Sequence, residues 1–432
     1  MDYPLWVIPG IGGAMVIAVI SVFHVFISHF AVGMGLYTAL AEKKAMNSDN
    51  PEAMKFVKRT SGLILYVSAI IGAITGVGIW FSIALVHPAG TSALIHNFVW
   101  GWAIEWIFFV LEIVAILIYY YTWDKVSAKF HNFVAWLYFI GAYLSLVIIN
   151  GIITFQLTPG KWIKTHKFWD GFFNPTYFPS LVGRTGVCLM LAAIFATLIL
   201  SFVKDMDVKA SFGKFTGIFG IVGIILTYIG FYWWAKAIPA NVAGEFLGGN
   251  ETLSEFFRNA AILGVITFIV LFIWTIIIPK RMNIIVAIVL LILGQAAFGY
   301  YEFTRERARK PFVIRDYMYS TGVLVSEVEK LNEKGILSKV KWANPLNKKD
   351  KLSIGEAVFK AECMICHDWY HFNSKPLFSS ISDDPDDNLD ILDSLDGNNL
   401  MPPFVGTDKE KEALAFYLAK LAKEREKEGK NE

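Results

Sequence analysis

Long apolar stretches alternate with short polar connections along the first 301 residues, and the chain becomes polar after that point. A helix needs about 20 consecutive apolar residues to cross a lipid bilayer. Eight stretches are long enough, near residues 8–40, 60–86, 98–121, 132–156, 181–203, 215–235, 260–278 and 283–301. The pattern therefore predicts an all-α membrane protein, in which a bundle of eight transmembrane helices precedes a small polar domain.

The composition supports a protein embedded in a lipid bilayer, since 55% of the 432 residues are hydrophobic and the mean hydropathy is +0.49. Ordinary soluble proteins are less apolar. The net charge of +2 says little about partners, and no basic cluster indicates nucleic acid as a partner. The first residues have neither a cationic segment nor a small-residue cleavage site. We therefore expect no removable signal peptide, and expect the first helix to direct insertion.

Basic residues are concentrated in the odd-numbered connections between the apolar stretches. They are Lys43, Lys44, Lys55, Lys58 and Arg59 in the first, Lys125 and Lys129 in the third, Lys204, Lys209 and Lys214 in the fifth, and Lys280 and Arg281 in the seventh. Basic connections face the cytoplasm. The sequence thus predicts that both termini lie on the outer, periplasmic side of a bacterial inner membrane, with Lys161, Lys164 and Lys167 as one discordant outer cluster.

The polar C-terminal region contains the motif Cys363-Met364-Ile365-Cys366-His367. This Cys-x-x-Cys-His pattern is the attachment sequence of a c-type heme. Cys363 and Cys366 would form the thioether bonds, and His367 would be an axial iron ligand. A thioredoxin-like dithiol is an alternative, but a zinc site is not easily completed, because the only other cysteine, Cys188, lies in an apolar segment. Heme c is attached on the outer face of bacterial membranes, which agrees with the predicted topology.

The flanks of this motif resemble class I cytochromes c. Residues 355–360 read as a short helix that leads into the motif, and the loop 398–404 contains Met401 between asparagines and prolines. The resemblance implies that Met401 is the second axial ligand and that Glu410 to Lys420 forms the closing helix. A thioether ligand generally raises the heme potential and suits an electron carrier. The alternative is that Met401 only packs the loop.

Ionisable residues inside the apolar stretches are costly in a membrane and are candidates for function. His24 lies in the middle of the first stretch, with His29 five residues later. Glu105 and Glu112 lie seven residues apart in the third stretch. Seven residues make two helical turns, so both carboxylates should face the same side of the helix and are candidates for a proton relay. A hydrogen-bonded core histidine, or lipid-facing and capping carboxylates, are the alternatives.

These residues belong to a longer pattern that resembles subunit I of cytochrome bd oxidase. The pattern comprises Phe23-His24, Gly33 and Glu42, then Ala103-Ile104-Glu105, Leu111-Glu112 and Trp123-Asp124, then His131, Trp136, Gly141, Leu144-Ser145 and Asn150-Gly151. It covers about 12 to 155 and returns at 302–314. The resemblance implies that His24 is a heme ligand at the site that reduces oxygen.

At the second region, the run Glu306-Arg307-Ala308-Arg309-Lys310-Pro311-Phe312 is similar to the family motif Glu-x-Gly-Arg-Gln-Pro-Trp. The resemblance implies that Glu306 ligates a heme iron and that Arg309 helps to bind heme propionates. Glu302, one turn earlier on the same face, is a competing ligand. A charged outer helix end that anchors the following linker is the alternative.

Other family features are missing from the sequence. The histidine and methionine that hold the low-spin heme b of the family correspond here to Gly183 and Ala260, and neither can ligate iron. We therefore expect no low-spin heme b. The long quinol-binding loop of the family is reduced to Ala237 to Glu255, and its last helix is replaced by the cytochrome c region.

The combined resemblance implies a transmembrane heme domain at 1–312, a linker at 313–349 and a periplasmic cytochrome c domain at 350–432. A soluble or membrane cytochrome c would deliver electrons to the covalent heme c. Two high-spin hemes, of b or d type or both, would then reduce O2 to water, with protons supplied past Glu112 and Glu105. We expect a second membrane subunit similar to subunit II. The alternatives are a quinol dehydrogenase, a module that passes electrons to periplasmic cytochromes, and a reductase of another small diatomic such as nitric oxide.

Overall fold

The computed structural model describes residues 4–8, 12–367, 380–397 and 400–428, apart from the side chains of Leu247, Lys427 and Glu428. Asp368, Asn398 and Asn399 of the cytochrome c region lie outside these ranges. The chain divides into two compact units. One comprises Ser21–Gly78 and Asn97–Ala308, and the other comprises Met1–Ile20, Ile79–His96 and Arg309–Glu432.

Eight helices of the described chain are long and apolar enough to cross a membrane, which confirms the predicted number. They are α1 (Gly13–Met46), α2 (Pro51–Val86), α3 (Val99–Tyr121), α4 (Ala128–Phe155), α5 (Tyr177–Ser201), α6 (Met206–Ala237), α7 (Glu251–Ile277) and α8 (Ile284–Ala308). Two of them contain π-helical turns, at Leu65–Gly72 in α2 and Ile273–Ile277 in α7.

Polar side chains at the predicted cytoplasmic ends fix where several of these helices begin. The Asn50 side chain accepts a hydrogen bond from the Glu52 amide (2.9 Å), and Pro51 is the first residue of α2. Asp205 likewise accepts from the amides of Asp207 and Val208 (both 2.9 Å) at the start of α6. Such caps satisfy backbone donors that have no partner inside the helix. The two caps also bond to each other, since Asn50 Nδ2 donates to Asp205 Oδ2 at 2.9 Å.

Small residues allow the helix backbones to touch where α5 packs against its neighbours. A Cβ atom on Gly33 of α1 would fall 1.9 Å from the carbonyl oxygen of Cys188 in α5. One on Gly186 of α5 would fall 2.3 Å from the amide of Thr227 in α6. Close backbone approach through small residues is the usual way in which transmembrane helices associate, because lipid provides no hydrophobic drive between them.

The connections contain short helices at Pro88–Asn97, Trp162–Thr165, Phe168–Phe172 and Ala240–Gly244, a π-helical turn at Glu245–Gly249 and a 3-10 turn at Pro279–Arg281. After α8, strands β1 (Phe312–Ile314) and β2 (Met318–Tyr319) form an antiparallel hairpin, in which Phe312 pairs with Tyr319.

The described part of the C-terminal region contains four further helices, α9 (Val328–Lys334), α10 (Lys351–Glu362), α11 (Pro385–Asp393) and α12 (Asp408–Glu428). Short 3-10 turns lie at Val325–Glu327, Ile336–Ser338, Lys341–Ala343 and Ser394–Gly397. Helices α10 and α12 cross in backbone contact, since a Cβ on Gly355 would fall 2.0 Å from the Ala413 carbonyl oxygen. Leu331 and Ile336, from the segment before α10, pack into the same hydrophobic core as these helices.

Candidate functional site

The two glutamates of α3 both face α4, as their seven-residue spacing predicts. Glu112 is buried, and its Oε1 atom accepts hydrogen bonds from the hydroxyls of Ser68 in α2 (2.9 Å) and Tyr138 in α4 (3.2 Å). Glu105 is half-buried and accepts from the Ser145 hydroxyl of α4 at 2.8 Å. Hydroxyl groups that can both donate and accept therefore accompany each carboxylate.

His24 lies beside α2, just past the π-helical turn. Its Nδ1 atom is 3.0 Å from the Thr75 hydroxyl, which itself donates to the Ile71 carbonyl at 2.7 Å. The hydroxyl therefore accepts from Nδ1–H, and this leaves the lone pair on Nε2. A histidine that donates from one nitrogen and keeps a lone pair on the other is arranged as heme-iron and zinc ligands usually are. A Cβ on Gly76 would lie 3.1 Å from the ring, so the glycine leaves room for the imidazole beside α2.

His29 is more deeply buried than His24, but both of its ring nitrogens are engaged. Nδ1 donates to the Val25 carbonyl at 2.7 Å, and Nε2 accepts from the guanidinium of Arg184 in α5 at 3.3 Å. His29, Gly183, Arg184, Gly230, Phe231 and Tyr301 line a small cavity between α1, α5, α6 and α8. Arg184 and its contact with His29 are features that the sequence did not reveal, because a single arginine in an apolar stretch does not identify its partner.

The two carboxylates near the end of α8 differ in their surroundings. Glu302 is buried, and its Oε2 atom accepts from Arg305 Nε at 2.8 Å. Its Oε1 atom has no hydrogen-bond partner among the residues that the structure describes. Glu306 is half-buried. A buried carboxylate oxygen without a partner is costly unless another group completes the site. The geometry thus favours Glu302 as an iron ligand or as a carrier of a proton. The sequence motif instead favours Glu306 as the iron ligand.

Arg309 follows directly after α8 and belongs to the other compact unit. It is half-buried, and its guanidinium donates to the Val313 carbonyl of β1 at 3.3 Å. Within this unit His87 is half-buried, and desolvation of its ring lowers its pKa to about 4, with the Lys310 and Arg309 cations adding to the effect. Arg309 therefore contributes positive charge to this region.

The residues at the position of a low-spin heme b do not fit that group. Gly183 faces Gly230 of α6, and a Cβ on Gly230 would fall 2.2 Å from the Gly183 amide nitrogen. Gly183 itself has no side chain and therefore offers no ligand atom. Ala260 offers no ligand atom either.

The heme-attachment motif forms a tight turn at the end of α10. The His367 amide donates to the Cys363 carbonyl at 2.8 Å, and the Cys366 amide donates to the same oxygen at 3.1 Å. Both cysteines are free thiols, and burial raises the pKa of Cys363, with the neighbouring Glu362 carboxylate adding to the effect. Met401 is half-buried in the segment before α12. Two thiols and an imidazole within one turn fit a covalently attached heme.

Comparison with known proteins agrees with this arrangement of helices. The family model of cytochrome bd terminal oxidase subunit I matches residues 14–235, just over half of the chain. None of the curated protein sequences matches the chain. The fold is similar to the solved bd oxidase from Geobacillus thermodenitrificans, with a TM-score of 0.62 and 15% sequence identity, over 71% of this chain and 89% of that chain. Members of the matched family are multi-pass subunits of heme-containing respiratory oxidoreductases. This chain belongs to the cytochrome bd terminal oxidase subunit I family.

Proposed function

We propose that the chain is the catalytic subunit of a bd-type terminal oxidase that receives electrons from a cytochrome c instead of from quinol. Membership of the family makes a terminal oxidoreductase with b- and d-type hemes and a subunit II-like partner the coarse assignment. The observation that carries the finer proposal is the Cys363 to His367 turn, which presents two free thiols and an imidazole at the end of α10. No other described residues of the chain offer this chemistry.

The surrounding fold supports a cytochrome c domain at 350–432, and the linker at 313–349 packs against its core through Leu331 and Ile336. The crossing of α10 and α12 at Gly355 agrees with the expectation that Glu410 to Lys420 closes such a domain. Phe359 of α10 packs against Tyr417 of α12 with ring centroids 5.7 Å apart, which secures the helix that ends at the motif. Cys363 and Cys366 would form the thioether bonds, and His367 and Met401 would be the axial ligands.

In the unit that comprises Ser21–Gly78 and Asn97–Ala308, His24 and a carboxylate of α8 would hold two high-spin hemes. When bound, such hemes supply electron transfer and the activation of dioxygen. The Thr75 hydroxyl orients His24 so that Nε2 faces away from its hydrogen bond. Glu306 is the ligand by its motif, and Glu302 has the oxygen without a partner. Arg309 would neutralise heme propionates with its guanidinium, which suits paired carboxylates.

Reduction of dioxygen to water consumes protons, and the α3 carboxylates would supply them. Glu112 is held by two hydroxyls, and Glu105 by one. A buried carboxylate can take up a proton from one side and release it to the other, while the hydroxyls rotate to donate or accept. In the predicted topology, the start of α2 and the end of α3 lie on the cytoplasmic side. Glu112 is therefore the carboxylate of α3 that is nearer to the cytoplasm.

Two features support a cytochrome donor over quinol. Gly183 and Ala260 offer no ligand atoms for the low-spin heme beside which quinol docks in the family. Asp383, Asp384, Asp386 and Asp387 lie at the start of α11, where their charge would attract a basic partner. A module that transfers electrons without oxygen chemistry, or a reductase of another diatomic, are the competing functions.

Heme content tests this proposal. Denatured wild-type protein should keep heme-dependent peroxidase stain on a gel, and the double variant Cys363→Ser, Cys366→Ser should lose it. In reduced spectra, carbon monoxide should perturb every non-covalent heme, because high-spin iron keeps an open coordination position. Stain that survives the double substitution would overturn the heme c assignment. A reduced b-type band that ignores carbon monoxide would overturn the absence of a low-spin heme b.

A further inference from the structure

Polar contacts between α3 and α4 recur every seven residues. Glu105 bonds to Ser145, Glu112 bonds to Tyr138, and Tyr119 contacts His131. The step is seven residues on both helices, and the helices run in opposite directions. Seven residues correspond to two turns, or about 10.5 Å along the helix axis. The three contacts, hereafter the polar ladder, therefore lie on one line along the helix pair.

The third contact belongs to a buried cluster of polar side chains. The proposed function gives this cluster no role, since it contains neither the α3 carboxylates nor the heme ligands. His131 Nε2 is 2.9 Å from the Tyr119 carbonyl oxygen, and its Nδ1 is 2.5 Å from Glu42 Oε1 of α1. Glu42 Oε2 accepts from the Tyr119 hydroxyl (3.2 Å) and from Asn132 Nδ2 (3.0 Å). Glu42 and His131 are only 2% and 4% exposed, so the pair is shielded from both lipid and water.

The hydrogen-bond pattern determines how many protons this cluster holds. A backbone carbonyl can only accept, so Nε2 of His131 must carry a hydrogen. The short contact between Nδ1 and Glu42 Oε1 also needs a hydrogen. The pair therefore carries two hydrogens, one on Nε2 and one between Nδ1 and Oε1. A neutral imidazole beside an ionised carboxylate would carry only one. The hydrogen between Nδ1 and Oε1 resides either on the imidazole or on Glu42 Oε1. Its transfer from one atom to the other keeps all the hydrogen bonds of the cluster.

The cluster lies at the end of the polar ladder that faces the basic connections. Glu42 is four residues from the end of α1, Tyr119 is two residues from the end of α3, and His131 is near the start of α4. The connections after α1 and α3 carry the lysines that predict a cytoplasmic location. The next contact along the polar ladder is Glu112.

We propose that Glu42 and His131 form the inner proton-loading site for Glu112, an inference that rests on the proposed function. The shared proton leaves the pair for the Glu112 carboxylate, about 10.5 Å further along the polar ladder. A proton from the cytoplasmic side then replaces it between Nδ1 and Oε1. Tyr119, Asn132 and Trp123 surround the pair and carry no competing charge, and the Trp123 ring lies 4.2 Å from that of His131.

A purely structural cluster would only clamp α1, α3 and α4 together, and this difference is testable in the purified complex. Glu42→Gln keeps the shape and the acceptor for Tyr119 but cannot share the proton. We expect oxygen uptake to fall at least tenfold, while the anaerobic rate at which a one-electron donor reduces the hemes stays within twofold. Glu42→Asp should restore part of the uptake, because it keeps a carboxylate.

Thr38→Val is the matched control, because it removes a buried hydrogen bond from Thr38 of α1 to Thr60 of α2, one turn before Glu42. Oxygen uptake that falls equally in Glu42→Gln and Thr38→Val, or that is unchanged in Glu42→Gln, would overturn the loading site while the oxidase activity stands. If Glu42→Gln loses heme, Glu42→Asp replaces it in the comparison. Oxygen uptake by Glu42→Asp that is lower than that of Thr38→Val, at wild-type heme content, supports a proton role. Equal uptake by these two variants overturns it. Wild-type complex without any oxygen uptake would instead overturn the proposed function, and this inference with it.

Discussion

The Nδ1 atom of His24 donates to the Thr75 hydroxyl at 3.0 Å, so the lone pair of this imidazole lies on Nε2. His29 has no such free nitrogen, since Val25 and Arg184 engage both sides of its ring. We therefore expect His24→Ala to lose one high-spin heme per complex. His29→Ala should keep its full heme content. The measurement is heme extracted per purified complex, together with the carbon monoxide difference spectrum. The reverse ranking of the two variants would show that His29 is the ligand.

The carboxylates of α8 give a second comparison, because the motif assigns Glu306 and the oxygen without a partner assigns Glu302. Substitution of the true ligand by glutamine should lower the content of one high-spin heme and change the carbon monoxide spectrum. Substitution of the other carboxylate should leave the heme content and the carbon monoxide spectrum unchanged within the error of the measurement. Wild-type spectra in both single variants would exclude both carboxylates as ligands.

The contact between α5 and α6 predicts a strong effect of a single methyl group. In Gly230→Ala the new Cβ would fall 2.2 Å from a backbone nitrogen, so the two helices must move apart. Overpacking of this kind costs about 1–3 kcal/mol, and we expect a clearly lower midpoint of thermal unfolding. Gly264→Ala in α7 is the control, since nothing lies within 4 Å of the added atom. Equal midpoints for the two variants would contradict the close α5–α6 packing.

His87 predicts a pH dependence of stability. Its Nε2 donates to the Ser320 carbonyl at 2.8 Å, and its Nδ1 accepts from the Gly90 amide at 3.0 Å, so the ring is neutral. Burial lowers its pKa to about 4, below the ordinary 6.5. The unfolded chain therefore binds this proton first as the pH falls. The stability that His87 contributes is complete above pH 6.5 and is lost progressively towards pH 4.

Thermal unfolding between pH 7.5 and pH 4.5 measures this effect. The midpoint of wild-type protein should decrease more steeply with falling pH than that of His87→Asn, whose side chain can still accept from the Gly90 amide. Parallel curves for the two proteins would show that His87 does not titrate as described.

The sequence predicted the membrane helices well, because the apolar windows are long, but it misplaced several ends. Helix α1 extends to Met46, past the predicted end at residue 40, and the polar Glu42 in this last part is hydrogen-bonded to His131 inside the protein. A hydropathy scale counts such a residue as polar, because it contains no information about the partner that the residue has in the folded protein. Helix α6 begins at Met206 and not near 215 for a different reason, because Asp205 caps its polar first turn.

At the site, spacing alone predicted that Glu105 and Glu112 share a face, because helical periodicity is a local property. The hydroxyls that bond to Glu112 come from Ser68 and Tyr138, on two other helices. Such contacts depend on how the bundle packs, so they could not be read from one sequence. The different surroundings of Glu302 and Glu306 arise in the same way.

Oxygen uptake by the purified complex tests the central claim most directly, comparing reduced soluble cytochrome c with a quinol as the donor. We expect rapid uptake with the cytochrome, a lower rate as ionic strength rises, and loss of this activity in the variant Cys363→Ser, Cys366→Ser. The salt effect follows from the aspartates of α11, whose attraction to a basic donor is screened by ions. Quinol-driven uptake that survives the loss of both cysteines, with no uptake from cytochrome c, would contradict the account.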